Sequence, residues 1–176
     1  MYLISIYFDE ETNKILNRHI QRIAKATGNG FMTENNVPPH MTISAFDARD
    51  VKALEESFEK LKGLIEGGDV QFVSIGQLLP YVIYATPVMN EYLLNLSKYI
   101  FNAFKDIPDI RISKYYKPYS WLPHVTLGKT LDKMQIQKAL EILQDSFVPF
   151  NAQIKAIGLS RVNPHRDLIR FDFASQ

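Results

Sequence analysis

The hydrophobic positions along the chain switch period repeatedly, from two to about four and back. The stretch "YLISIYF" (2–8) is dense in β-branched and aromatic residues and reads as a strand. Asp9 is a helix N-cap residue, and from it Leu16, Ile20 and Ile23 recur at helical spacing until Gly28 stops the pattern. A polar loop with Gly30, Asn35 and Asn36 leads to "PPHMTISAF" (38–46). This stretch alternates as a strand, with Met41, Ile43 and Ala45 on one face and His40, Thr42 and Ser44 on the other. Val51, Leu54, Phe58, Leu61 and Ile65 then predict a helix over 48–66, ended by Gly67 and Gly68. Strands 69–79 and 81–87 flank a turn at Pro80. Asn90 caps a helix over 90–106 with Leu93, Leu94, Ile100, Phe101 and Phe104 inward. After a loop rich in basic and aromatic residues comes strand 122–129. Asp132 caps a helix reaching Phe147, with Ile136, Leu140 and Leu143 in its stripe, and strands 151–161 and 167–173 close the chain.

The order strand, helix, strand, helix, strand runs twice at a nearly constant offset of about 80 residues, once over 2–79 and again over 81–161. Residue identity between the halves is low outside one motif. "LPHVTLGK" (122–129) repeats the pattern of 38–46: a proline, then histidine, an apolar residue, threonine and another apolar residue. The expectation is an internally duplicated, single bilobal α+β domain over 1–176. Two mainly antiparallel sheets are each backed by helices, and one histidine strand lies in each lobe. The helices cover the apolar strand faces. The faces carrying His40 and Thr42, and His124 and Thr126, then line a central cleft.

Composition narrows the function classes. The chain has 176 residues, a formal net charge of +1 and no cysteine. The near-neutral charge gives no footprint for unspecific binding of duplex DNA. The lack of cysteine excludes disulfides, iron–sulfur clusters and cysteine-held zinc and suits a reducing compartment. "MYLISIYFDEE" has no basic region or small-residue cleavage site, and no apolar run approaches a membrane span. A cytoplasmic protein without a membrane partner, and a monomer, are the resulting expectations.

A lone His-x-Thr matches any structural histidine beside a threonine. Two copies at matching places of a repeated order are far more specific. Histidine titrates nearest neutrality, so one imidazole can take a proton from an entering oxygen while the other protonates a leaving oxygen. A threonine two residues along a strand lies beside its own histidine, whereas on a helix the two would be about 200° apart. Its hydroxyl can donate to a non-bridging phosphoryl oxygen, so the pair of motifs suits in-line displacement at phosphorus. No HExxH, acidic cluster, GxxxxGK[ST] or GxGxxG is present, and no metal or cofactor is expected. His19 belongs to a helical stripe, and His165 falls in the last hairpin turn.

The tetrapeptides "HMTI" and "HVTL", their separation and the duplicated order of elements resemble the 2H phosphoesterase superfamily, which includes LigT-like, 2′-5′ RNA ligase-like and cyclic phosphodiesterase proteins. The resemblance covers the whole chain in element order, with residue-level support confined to the two motifs. It implies a LigT-like fold with His40 and His124 as the catalytic pair and Thr42 and Thr126 as the phosphate-binding residues. It also implies a metal-independent phosphodiesterase acting on the 2′,3′-cyclic phosphate of nucleotides or RNA ends, or the related 2′-5′ RNA ligation. The substrate partner is then a nucleotide or RNA terminus. The alternative is a module that binds an RNA end or phosphorylated nucleotide in the same cleft without turning it over. Beyond the motifs, Ser44 shares the expected face of His40. In "RISKYYKPYSW" (111–121), Lys117 with Tyr115, Tyr116, Tyr119 and Trp121 are candidate substrate contacts, set against packing of the lobe.

Overall fold

Each longer helix starts where a side chain closes its first turn. In the computed structural model, which describes residues 1–36, 38–162 and 166–173, the carboxylates of Asp9, Asp50 and Asp132 and the amide oxygen of Asn90 accept hydrogen bonds from the backbone N–H of Thr12, Ala53, Gln135 and Leu93, respectively. Such caps contribute about 1 kcal/mol each. They begin α1 (Glu10–Thr27), α3 (Val51–Glu59), α4 (Glu91–Phe104) and α5 (Lys133–Ser146). A one-turn helix α2 (Phe31–Glu34) interrupts the expected loop, started by the Asn29 side chain accepting from Phe31 N–H and holding Met32 in the core. The strands are β1 (Tyr2–Phe8), β2 (Met41–Asp47), β3 (Gly68–Leu78), β4 (Val82–Pro87), β5 (Arg111–Ile112), β6 (Val125–Gly128), β7 (Phe150–Arg161) and β8 (Arg166–Asp172).

Three expectations shift in detail. The helix expected over 48–66 ends at Glu59, although Leu61 and Ile65 stay buried through the turns that follow. On α4, Leu96 is buried while Leu94 and Phe101 are half-buried, so the inward stripe runs Leu93, Leu96, Ile100 and Phe104. The motif strands start at Met41 and Val125 because Pro38, Pro39 and Pro123 have no N–H to give a ladder. His40 and His124 therefore sit on the lead-ins. His165 lies outside the described residues.

The architecture is α+β, and the strand pairing is antiparallel throughout. By hydrogen bonding the strands form a single eight-stranded sheet, where two sheets were expected. Within it β8-β7-β1-β2, with β5 at the rim, and β3-β4-β6 join at two seams into one circuit, β1-β2-β6-β4-β3-β7-β1, so that β3 pairs with strands of the second repeat and β7 with strands of the first. One seam is the single pair Met41 with Val125. The other pairs Gly68–Phe72 of β3 with the first residues of β7. Exchanging β1 with β4, β2 with β6 and β3 with β7 leaves the circuit unchanged. Helices follow the same rule: α1 packs on β6 and α5, and α4 packs on β2 and α3.

One strand face is mainly apolar. Ile4, Ile6, Met41, Ile83, Ala85 and Val125 meet the helical residues Leu16, Ile20, Leu93 and Ile100 there in one core. The opposite face carries Ser5, Tyr7, Thr42, Tyr84 and Thr126. Each motif strand also carries a bulge. Ile43 is skipped between the pairs Ile4–Ser44 and Ser5–Thr42, and Leu127 is skipped between Ile83–Gly128 and Tyr84–Thr126. Among the described residues, no helix is long and apolar enough to cross a membrane.

His19 is buried against Phe147, ring centroids 5.5 Å apart, with no hydrogen-bond partner for Nδ1 among the described residues. Burial, with Arg22 and Arg18 nearby, holds its pKa below the ordinary 6.5. The unfolded chain thus binds a proton there before the folded one does. His19 costs nothing above its unfolded pKa and destabilises the fold progressively as pH falls below it. Thermal unfolding midpoints should decline from about pH 7 to about pH 5, and His19→Leu should flatten that decline; an identical slope in the variant would exclude His19 as its source.

Candidate active site

The lone pair Met41–Val125 sets the geometry of the motifs. Antiparallel register about that pair places position 40 opposite 126 and position 42 opposite 124, all on the face turned from the core. The two histidines occupy one diagonal of this square and the two threonines the other. Side chains so related stand about 7–8 Å apart, which leaves room for a tetrahedral phosphoryl group between the imidazoles.

Both imidazoles are held in the same way. Nδ1 of His40 donates to the carbonyl of Pro38 at 2.8 Å, and Nδ1 of His124 donates to the carbonyl of Leu122 at 2.8 Å. A carbonyl only accepts, so each neutral ring carries its proton on Nδ1 and its lone pair on Nε2. Burial pushes the pKa of His124 below the ordinary value, partly opposed by the Leu122 carbonyl.

Other contacts position the motifs. The Ser5 and Thr42 hydroxyls lie 3.3 Å apart. Thr86 donates to the carbonyl of Pro123 at 2.8 Å and steadies the lead-in to His124. The Trp121 indole N–H donates to the carbonyl of Thr42 at 2.9 Å, tying the approach to the second motif onto the first. Tyr84 lies 5.2 Å from His124 and Tyr7 lies 6.3 Å from His40, centroid to centroid. Each tyrosine leans over a glycine. A methyl group on Gly76 would collide with the Tyr84 ring, and one on Gly158 would fall 3.1 Å from the Tyr7 ring. Above Tyr7 lies the Arg170 guanidinium, 3.9 Å from the ring centre. Burial raises the Tyr7 pKa, and Asp167 adds to the rise while Arg170 opposes it.

Of the residues singled out in the sequence, His40, Thr42, His124 and Thr126 come together. Ser44 does not join them. The bulge at Ile43 turns it opposite Ile4 on the core side, and its buried hydroxyl has no partner among the described residues. Trp121 and Tyr116 pack against the core; Tyr115, Tyr119 and Lys117 are exposed. Sequence reasoning passed over Ser5, Tyr7, Tyr84, Gly76, Gly158 and Arg170. A signal was present: Ser5 is the one polar residue of "YLISIYF", and the dipeptide Ile-Gly recurs at 75–76 and 157–158. Among the described residues, no three His, Asp or Glu side chains gather in a way that could hold a metal ion.

Comparison with known proteins supplies the relatives. The sequence model of the 2′-5′ RNA ligase superfamily matches residues 13–166, a span that includes both motifs. No curated protein matches the chain. Among solved structures, E. coli LigT complexed with 3′-AMP superposes with a TM-score of 0.64 at 16% identity, over 99% of this chain and 98% of that one. TT0787 of Thermus thermophilus gives 0.65 at 15% identity, over 98% and 97%. E. coli LigT complexed with NADP+ gives 0.60 at 18% identity, over 98% and 96%. At such identities the likeness speaks for the fold, and the family match speaks for descent: the chain belongs to the 2′-5′ RNA ligase superfamily of 2H phosphoesterases.

Proposed function

We propose that the His40–Thr42–His124–Thr126 face opens 2′,3′-cyclic phosphates of nucleotides or RNA ends, with the two histidines as its acid and base and no metal taking part. The observation that carries this reading is the matched anchoring of both imidazoles through Nδ1, which leaves each Nε2 for proton transfer, across a register that sets a threonine opposite each. A water attacks phosphorus as one Nε2 accepts its proton. The P–O bond to one ribose oxygen breaks, and that oxygen takes a proton from the other, charged imidazole. The threonine hydroxyls donate to the non-bridging oxygens, where negative charge grows.

The downward shift of His124 supports giving it the role of base, which leaves His40 as the acid. The same attack made by a ribose 5′-hydroxyl in place of water, with the P–O bond to the 3′-oxygen breaking, is a 2′-5′ ligation, and hydrolysis is the outcome favoured in water. Residues 2–79 and 81–161 are read as two repeats that each supply one motif, and the exchange symmetry of the strand circuit supports this.

Three outcomes are expected. In a screen over 2′,3′-cyclic nucleotides, RNA ends bearing a cyclic phosphate and 2′-5′ linked dinucleotides, His40→Ala and His124→Ala should each lower turnover by about a hundredfold or more. Thr126→Val should lower kcat by about a hundredfold, and EDTA should change nothing. Activity in either alanine variant close to that of the parent, or loss in EDTA restored by a divalent metal, would sink the mechanism.

The acid limb of the kcat/KM profile should lie below 6.5, because His124 serves as base with a lowered pKa; a limb above that value would reverse the two roles. Finally, Gly76→Ala displaces the Tyr84 ring, which lies 5.2 Å from His124. Its kcat should fall by more than its loss of stability explains, as read from kcat against the unfolding midpoint. Equal kcat in the variant would remove Tyr84 from any part in placing the imidazole.

A further inference from the structure

The segment between β5 and β6 divides its aromatic side chains into two kinds. Tyr116 packs against the core and Trp121 is buried within it, whereas Tyr115 and Tyr119 are 67% and 80% exposed. Packing gives no reason for these two rings to be aromatic. Each carries a cation: the Lys114 ammonium lies 5.1 Å from the Tyr115 ring centre, and the Lys98 ammonium, reaching from α4, lies 5.0 Å from that of Tyr119. Among the described residues neither ammonium forms an ion pair. Lys117, between Tyr115 and Tyr119 in sequence, is exposed as well. Tyr119 also holds φ at 67°, the left-handed region that bulky side chains avoid. The chain thus keeps an unfavourable backbone conformation at the very residue whose ring it exposes.

The segment is strapped along β2, beside the reacting face. Ser113 N–H donates to the carbonyl of Ala45 at 2.9 Å, and the Trp121 indole donates to that of Thr42. Tyr119 precedes His124 by five residues, a length of chain that spans at most about 18 Å. The exposed Tyr119 ring, with its ammonium beside it, therefore stands within a few nucleotides of His124.

We propose that Lys98, Lys114, Tyr115, Lys117 and Tyr119 form a strip that holds the unpaired nucleotides adjoining the reacting phosphate, so that the substrate is the end of a single-stranded RNA rather than a free nucleotide. The inference rests on the reading of the histidine–threonine face given above. A base stacks on a ring while an ammonium takes the neighbouring phosphate, and every base has a face to offer. Paired bases in a duplex are not open to such stacking. With a chain of net charge +1, the attraction for a polyanion has to be local, as it is on this strip.

Two measurements test the strip separately from the reaction. The first is the affinity of the whole protein for a labelled single-stranded hexaribonucleotide ending in a 3′-phosphate, read by fluorescence anisotropy, which needs no turnover. Tyr115→Ala with Tyr119→Gly should weaken it by about tenfold or more. Glycine suits the left-handed backbone at 119, so the variant is expected to fold, which its circular dichroism checks. Lys98→Gln and Lys114→Gln should each flatten the dependence of log affinity on log salt by about 0.7. The second is the ratio of kcat/KM on an oligonucleotide ending in a cyclic phosphate to that on a cyclic mononucleotide. The ratio should exceed one in the parent and collapse in the ring variant. Unchanged affinity in the ring variant, equal binding of a duplex, or an unchanged ratio would each overturn the proposal and leave the rings to a protein partner. If no cyclic phosphate were turned over at all, the reaction would fall while the anisotropy still decided the strip.

Discussion

The two motif strands share a single ladder pair, Met41 with Val125, and the geometry of the site hangs on its register. Side chains on a strand alternate with period two, so a slip of one residue at that pair would send both histidines toward the helices and both apolar neighbours toward water. Such a brief ladder leaves backbone groups around it without strand partners. They are satisfied locally: the carbonyl of Thr42 by the Trp121 indole, that of Ala45 by Ser113 N–H, that of Pro123 by the Thr86 hydroxyl, and those of Pro38 and Leu122 by the imidazoles themselves. The histidines are thus part of the backbone's own hydrogen-bond accounting, which fixes their tautomer before any substrate arrives.

Near-symmetry of the circuit does not extend to chemistry. Thr42 stands beside the Ser5 hydroxyl, while Thr126 lies opposite the Tyr84 ring. His124 is desolvated behind Tyr84 at 5.2 Å; His40 has Tyr7 more distantly, with the Arg170 guanidinium on the far face of that ring. Two motifs of the same sequence pattern thereby meet different surroundings, which is the physical ground for proposing different roles for the two imidazoles.

The parts of this structure that depend on short-range chemistry were legible. Asp9, Asp50, Asn90 and Asp132 announce helices because their side chains compete for N–H groups three residues on, and the helical stripes follow from period. The four motif residues were legible because the pattern occurs twice. What the sequence hid depends on contacts across strands. Nothing local distinguishes Ile43 from its neighbours as the residue to be skipped, yet that bulge moves Ser44 from the site to the core. Gly76 reads as a weak spot in a strand until Tyr84 is seen lying over it. The split of 111–121 into packed and exposed rings was equally out of reach, since Tyr115 and Tyr116 are adjacent and chemically identical.

Closure of the circuit has a bearing on how the protein is made. β1 lies between β2 and β7, and Tyr2 pairs with Arg161, so β1 gains its second neighbour only once synthesis has passed Arg161. β3 likewise waits for Phe150 and the residues after it. Through that interval the growing chain presents open strand edges, with Ile4, Ile6 and Phe72 still without the partners that bury them. The circuit is therefore closed by β7, which is synthesised after every other strand that belongs to it.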